Sequence, residues 1–426
     1  MKQIQTYIML MLLAAVLVTG CSENDEQPVA GDAITLDAQV IQPVTRAGGT
    51  ACIDYSVLAR TGYGFGVYAY GLTAGDWHNK QVTYNGSESD PVQDLGSVHL
   101  HSGNWTYGTP VDWKDQTVSF LAYAPYVAAG SGSTGITAVS GSDVDNTLVT
   151  YAIATSPDQC VDLLWGVRET TKLPWLNTRK GTAGGNVTFT FHHALSAIGF
   201  HVQAMIDKEN DLDDFGDVSD VDALLGTVYK VTIKQMTLSG NFFPSAQLNL
   251  NNTSAGVPRW VTGAPASAAN TLTVGNTLVN AAFRHPDVVT PTTSTTAEAI
   301  MTGGMTGMTQ AAEQRVIIPH ATTNAEQCFF VIPNNEVQNY TLTIDWCVSR
   351  HSNGTYTAED HTSVLNIPST ELPLAPETKY YINLVFNLKT VRFNITATDW
   401  TDTPVPVGVT IEHGTSASES LAPKRK

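Results

Sequence analysis

From about residue 32 onward the chain consists of short runs in which apolar and polar residues alternate or β-branched and aromatic residues cluster. Each run is closed by Gly, Asn, Asp, Pro or Ser. Examples are Phe65-Gly66-Val67-Tyr68-Ala69-Tyr70, Thr117-Val118-Ser119-Phe120-Leu121-Ala122-Tyr123, Asn186-Val187-Thr188-Phe189-Thr190-Phe191 and Tyr340-Thr341-Leu342-Thr343-Ile344-Asp345-Trp346. A period of two is the period of a strand, and such residues fit a pleated, half-buried surface. Many strands with turn signals between them indicate sandwiches, so the expected fold class is all-β. The segment 194–205 comes nearest to a helical period, and its β-branched and aromatic flanks make it a strand. Composition agrees: 14% of the residues are charged, against ~25% in an average soluble chain, and Thr, Ser, Asn and Gly fill the difference.

Two runs stand apart. In residues 33–40 the apolar Ile34, Leu36, Ala38 and Val40 alternate strictly with polar residues, and in 403–411 Val405, Val407, Val409 and Ile411 do the same. Pro404 and Pro406 lack amide donors, which confines the second run to a sheet edge. Either row could lay four side chains into a sandwich groove, a gross gain of roughly 6–12 kcal/mol before ordering costs. Both could be edge strands of their own domains, or one could be lost and the other handed to a neighbouring subunit. Between the first row and the body lies Thr45-Arg46-Ala47-Gly48-Gly49, an accessible site for an Arg-specific protease.

Residues 1–20 hold Lys2 and an apolar run from Tyr7 to Val18, too short to span a bilayer, and are expected to be a secretion signal. The run ends in Val18-Thr19-Gly20-Cys21, which resembles a bacterial lipobox and implies lipidation of Cys21. The acidic cluster behind it, Ser22 to Glu26, is similar to surface-export signals of Bacteroidetes lipoproteins. The lipid is then the expected membrane attachment. Cys52, Cys160, Cys328 and Cys347 remain; sequence leaves their three possible pairings open, and the absence of C-x-x-C argues against zinc or thioredoxin-like chemistry.

Composition shifts place a domain boundary in the Pro- and Gly-rich stretch 173–186. The expected organisation is a signal peptide (1–20), a pro-segment with the first strand (21–46), an N-terminal sandwich (47–180), a C-terminal sandwich (181–402) and a closing strand and tail (403–426). The Thr-, Met- and Gly-rich stretch 284–312 is expected as a long surface loop.

Chemistry-bearing motifs are sparse. Gly62, Gly64 and Gly66 lack the third glycine of a dinucleotide loop, since Val67 stands there, and a strand follows rather than a helix. Asp211, Asp213, Gly216, Asp217 and Asp222 fall in the register of a calcium loop, but Phe215 occupies a liganding place and a solvated acidic loop is the expectation. His192 and His193, adjacent on a strand, point to opposite faces and cannot chelate one metal. No catalytic constellation, cofactor site or metal site is identified. Trp77, Trp105 and Trp113, with Tyr84 and Tyr107, stand in loop-like contexts where they either cover sandwich ends or form stacking platforms for a glycan. The net charge of −17 repels phosphate backbones, so nucleic acid is not an expected partner.

The order of these pieces resembles the fimbrillin superfamily of Bacteroidetes, the subunits of type V pili. The resemblance runs from the lipobox through Thr45-Arg46-Ala47, residues 65–70, the turn at 81–86, Trp105 and Trp113. It continues through Val118 to Pro125, Phe191 to Phe200, and the closing Asn383-Leu384-Val385 and Asp399-Trp400. It implies two transthyretin-like β-sandwich domains in tandem and export as an outer membrane lipoprotein precursor. An Arg-specific maturation protease would cut after Arg46, and assembly into a cell-surface fimbrium with other pilus subunits would follow by strand exchange. Carried onto this chain, residues 34–40 are the strand lost and 405–411 the strand donated. Arg60 is a poorer cut site, because Cys52 to Leu58 would go with the strand. Adhesion to a host or bacterial surface is the implied role, with no enzymatic activity.

Overall fold

The computed structural model describes residues 33–41, 53–60, 63–86, 93–94, 99–100, 103–130, 135–154, 159–204, 228–262, 270–274, 301–304, 316–317, 328–333, 339–352, 355–386 and 390–399. The chain opens with β1 (Thr35–Val40), a four-residue helix α1 (Tyr55–Leu58), β2 (Phe65–Tyr70), β3 (Trp77–Tyr84), β4 (Gln93–Asp94), β5 (His99–Leu100) and β6 (Trp105–Thr106). It continues through β7 (Val118–Ala124), β8 (Ile136–Gly141), β9 (Thr147–Ala152), β10 (Leu164–Val167), β11 (Trp175–Thr178), α2 (Lys180–Ala183) and β12 (Asn186–His193). The second half comprises β13 (Ser196–Ala204), β14 (Val228–Gly240), β15 (Ser245–Asn249), β16 (Arg259–Thr262), β17 (Asn270–Val274) and β18 (Met301–Gly304). It ends with β19 (Val316–Ile317), β20 (Cys328–Val331), β21 (Asn339–Ser352), β22 (Thr355–Pro368), β23 (Thr378–Phe386) and β24 (Val391–Asp399). The architecture is all-β, as the alternation predicts, and 196–204 is a strand.

The first sheet runs in the order β1-β12-β10-β7-β2-β3-β6, with β11 also on β7. It is covered on both faces. Phe65, Val67, Ala69, Phe120, Ala122, Phe189 and Phe191 point into one core, while Tyr68, Tyr70, Leu121, Tyr123, Trp165 and Val167 point into another. A strand buried on both faces has no polar side to show, which is why β2 and β7 read as nearly continuous apolar runs rather than alternating ones. The sheet β16-β15-β9-β8 lies over the outer face: the Tyr70 hydroxyl sits 2.7 Å from Thr147 Oγ1, and Val149, Tyr151 and Leu248 join the same core as Tyr68. Gly64, at φ +80°, lets β2 meet β3 closely; a β-carbon there would stand 2.1 Å from the Val82 carbonyl oxygen.

The second half brings two sheets face to face, β19-β13-β23-β24 with β20 on β13, and β17-β14-β21-β22 with β18 on β14. Trp346 of β21 meets Phe386 of β23 edge to face, with ring centres 5.3 Å apart. The segment 301–304, expected within a surface loop, is a strand on β14.

The boundary expected over 173–186 needs correction. That stretch lies inside the first sheet: β11 pairs with β7, Gly184 in the left-handed region ends α2, and β12 is a sheet member. Pro and Gly mark turns within a sheet as readily as seams between domains. The chain passes to the next sheet between His193 and Ser196, where Trp260 Nε1 donates to the Ala194 carbonyl and Ser196 Oγ to the Ala375 carbonyl.

Burial pushes the Tyr68 phenol up to about 12, with the neighbouring Tyr70 and Tyr126 adding to the shift, and raises the Tyr55, Tyr70, Tyr107, Tyr123, Tyr151 and Tyr380 phenols as well. Below the unfolded phenol's value near 10 this stabilisation is complete. It is lost as pH rises toward the folded values, because the unfolded chain ionises first. Urea midpoints should therefore hold between pH 8 and 9.5 and fall above pH 10. Tyr68→Phe should fall less steeply than the parent, and equal slopes would dismiss Tyr68 as a contributor.

Candidate functional site

The site with the most to say about function is the place of β1. This strand pairs in parallel with β12, Leu36 beside Val187, Ala38 beside Phe189 and Val40 beside Phe191. Adjacent residues in register share a face, so the apolar row enters the inner core: Ile34 is 1% exposed, Leu36 4%, Ala38 0% and Val40 2%. Thr35 stays exposed and Asp37 and Gln39 half-buried, which completes the alternation expected of 34–40. Burying Ile34, Leu36 and Val40 supplies about 5–9 kcal/mol gross.

The strand is bound at both ends. The Ile34 amide donates to the Val111 carbonyl at 2.7 Å, the Tyr107 hydroxyl donates to the Ile34 carbonyl at 2.6 Å, and Thr35 Oγ1 donates to the Gly185 carbonyl at 2.9 Å. At the far end the Ile41 amide donates to the Phe191 carbonyl at 3.1 Å. An isolated bridge joins Ala33 to Asp112, so the chain following β6 closes over the start of β1 and the sheet curls toward itself. No hairpin ties β1 to its neighbour: its pairing partner lies 150 residues away in sequence, as the Thr35–Gly185 bond measures.

The aromatic residues that the sequence offers as stacking platforms line the inside of that curl. Trp77, Trp105, Tyr107 and Trp113 are all buried. Trp105 meets Phe65 at 5.1 Å, Trp77 meets Tyr107 at 4.7 Å, and Trp113 meets Phe120 at 5.8 Å while its Nε1 donates to the Gly185 carbonyl. Tyr84 packs against Trp105 from the rim, and its hydroxyl accepts the Gly103 amide. They are therefore not open stacking platforms, which corrects the glycan-binding alternative. Polar neighbours give these segments a loop-like sequence, whereas the closure of the sheet turns their rings inward.

His192 and His193 do point to opposite faces. His193 Nδ1 lies 2.8 Å from Asp162 Oδ2 inside the first core, and His192 Nδ1 lies 2.7 Å from Glu377 Oε1 on the other side. Among the described residues no group of three or more His, Cys, Asp or Glu could hold a metal, and no helix is long and apolar enough to cross a membrane. Asp162 is a residue that sequence reasoning missed. Fully buried, it also accepts the Ile53 amide at 2.9 Å and so fixes the chain where it re-enters the body after the Arg46 segment. No spacing could reveal it, since 109 residues separate the two groups. Cys160 and Cys328 are buried thiols of the larger core, the Phe330 amide pointing at Cys160 Sγ from 3.5 Å. Cys347 lies on β21. Cys21, Arg46, Ala47, Cys52, Gly62, the acidic run 207–222, the row Val405, Val407, Val409, Ile411 and the tail to 426 lie outside the described residues.

A fimbrillin-like family model matches residues 45–400. Among solved structures, a fimbrial protein from Bacteroides vulgatus shares the fold with a TM-score of 0.57 at 17% identity, over 87% of this chain and 99% of that one. A candidate cell adhesion protein from Bacteroides uniformis aligns with a TM-score of 0.43 at 14% identity, over 89% of this chain and 100% of that one. No curated protein matches the chain.

If the row of β1 is core, Leu36→Ala in the full chain should lower unfolding stability by about 2–5 kcal/mol, and Gln39→Ala should change it by less than about 0.5 kcal/mol. Equal effects in urea titrations of the two variants would place the strand outside the core. Tyr107→Phe should cost about 1 kcal/mol through the lost bond to the Ile34 carbonyl.

Proposed function

The chain belongs to the fimbrillin-like family, whose members associate with other pilus subunits at the cell surface, and from that premise we propose a structural fimbrial subunit that polymerises by protease-triggered strand exchange. In this reading Cys21 carries the lipid that holds the precursor at the outer membrane. Cleavage between Arg46 and Ala47 then frees the body from both the lipid and β1. The observation that carries the reading is the seating of β1. Its apolar row is core, yet after a cut at Arg46 nothing covalent would keep it there, because its partner strand is distant in sequence and no hairpin joins them.

The position of the cut follows from burial. A cut at Arg60 would also remove Ile53, Tyr55, Val57 and Leu58, all of which belong to the inner core, and would break the Asp162 bond to the Ile53 amide. A cut at Arg46 leaves them in place. The vacated slot then offers the open edge of β12 and a row of apolar pockets, the requirements for adding an extended strand. The row Val405, Val407, Val409 and Ile411 follows β24 closely and equals the first row in length. Pro404 and Pro406 suit it to an edge such as that of β12. A chain with both a removable front strand and a donor row suits a stalk position, since it can accept one neighbour and supply the next. In this proposal the chain forms two transthyretin-like sandwiches in tandem, with the passage from one to the next at 194–195.

Digestion with an Arg-specific protease, followed by mass spectrometry, should give one cut at Arg46 and then detergent-resistant oligomers. A cut chain that stays monomeric would sink the proposal. Val407→Asp and Val409→Asp should abolish the oligomers and leave the melting temperature of the uncut chain unchanged; a marked drop would mean that the row belongs to the subunit's own core.

A further inference from the structure

The four inward places of β1 are not equivalent. Three hold Ile, Leu and Val, whereas the third holds Ala38, which is completely enclosed. Protein interiors are close-packed, so a fully buried alanine marks a pocket of methyl size. Its neighbour in register is Phe189, and that ring has nowhere to retreat. On the side of β10 it lies over Gly166, where even a β-carbon would come within 3.1 Å of Phe189 Cδ1, 3.1 Å of Phe191 Cε1 and 3.0 Å of Ala122 Cβ. Phe65 hems in both rings, its centre 5.8 Å from that of Phe189 and 5.2 Å from that of Phe191. The bed beneath the third place is thus a rigid cluster of three phenylalanines seated on a glycine. The second place differs: Leu36 lies beside the smaller Val187.

We propose that this pocket is a size filter on the strand that replaces β1, taking up most readily a partner subunit's strand with Ala or Gly at its third inward place and less readily one with a larger residue there, the chain's own row included, since Val409 or Val407 holds that place in either strand direction. The inference rests on the strand-exchange reading above and adds to it the residue that sets partner choice, Phe189 acting as the wall. Overpacking a close-packed site of this kind forces neighbouring side chains off their preferred rotamers, which weakens binding by about ten- to hundredfold.

The full chain, cut at Arg46, is incubated with fluorescent nonapeptides of residues 33–41 that carry Gly, Ala, Val or Leu in place of Ala38, and peptide uptake is followed by anisotropy. Gly and Ala peptides should enter alike, Val more weakly, and Leu at least tenfold more weakly than Ala. A Phe189→Leu chain should take the Val and Leu peptides better than the parent does. Uptake that ignores the residue at position 38 overturns the filter and leaves strand exchange standing, whereas no uptake of any peptide overturns both. In the uncut chain, Ala38→Leu should lower the melting temperature and Ala38→Gly should lower it less. A melting temperature that Ala38→Leu leaves unchanged would likewise overturn the filter.

Discussion

The first half of the molecule depends on one sheet being buried on both faces. Its inner face closes over β1 and the phenylalanines of β2 and β12, and its outer face is covered by β8, β9, β15 and β16. Such a sheet cannot shift its register or turn a face to water without exposing large aromatic side chains, so it is the rigid frame on which everything else is hung. The hairpin β8–β9 comes from the first half in sequence and completes its sheet with strands from the second. The frame and the downstream sandwich are therefore coupled by burial, and the Ala194 and Leu195 side chains that carry the chain across belong to the common core.

Within that frame β1 is the exception. It buries Ile34, Leu36, Ala38 and Val40, yet it is held by a parallel ladder, a few hydrogen bonds at its ends and a single stretch of chain. The rest of the inner core is organised around its presence: Tyr107 spends its hydroxyl on the Ile34 carbonyl, and the segment after β6 folds back to meet Ala33. The strand is thus integrated thoroughly in packing and only loosely in connectivity.

Much of this was legible in the residues. The alternation in 34–40 foretold both the strand and its buried face, because a single side of an edge strand faced the core and the period was clean. Where both sides were buried, as in β7, the period vanished, and only the shortness of the run, its aromatic residues and the turn signals around it identified the strand. The seam was misplaced because Pro174, Gly184 and Gly185 make turns inside the sheet, and a turn residue does not declare what lies beyond it. Trp105 and Trp113 read as loop residues for a related reason: their inward orientation comes from closure of the sheet, a property of seven strands together. The Asp162 contact with the Ile53 amide and the bed of Phe65, Phe189 and Phe191 were beyond reach of any local pattern, since each joins residues more than a hundred positions apart.

The separation of β1 from its partner also has a bearing on how the molecule comes into being. Of all the strands described, β1 is the first to leave the ribosome, but it cannot be placed until β12, some 150 residues later, has been made and the sheet between them has formed. Non-local pairings of this kind form late, and the apolar row stays unsatisfied meanwhile. Under the strand-exchange proposal the first occupancy of the slot is a race, which the tethered strand wins through its high effective concentration. Covalent attachment would then be what biases that race, so severing it would change the outcome without altering a single contact in the fold.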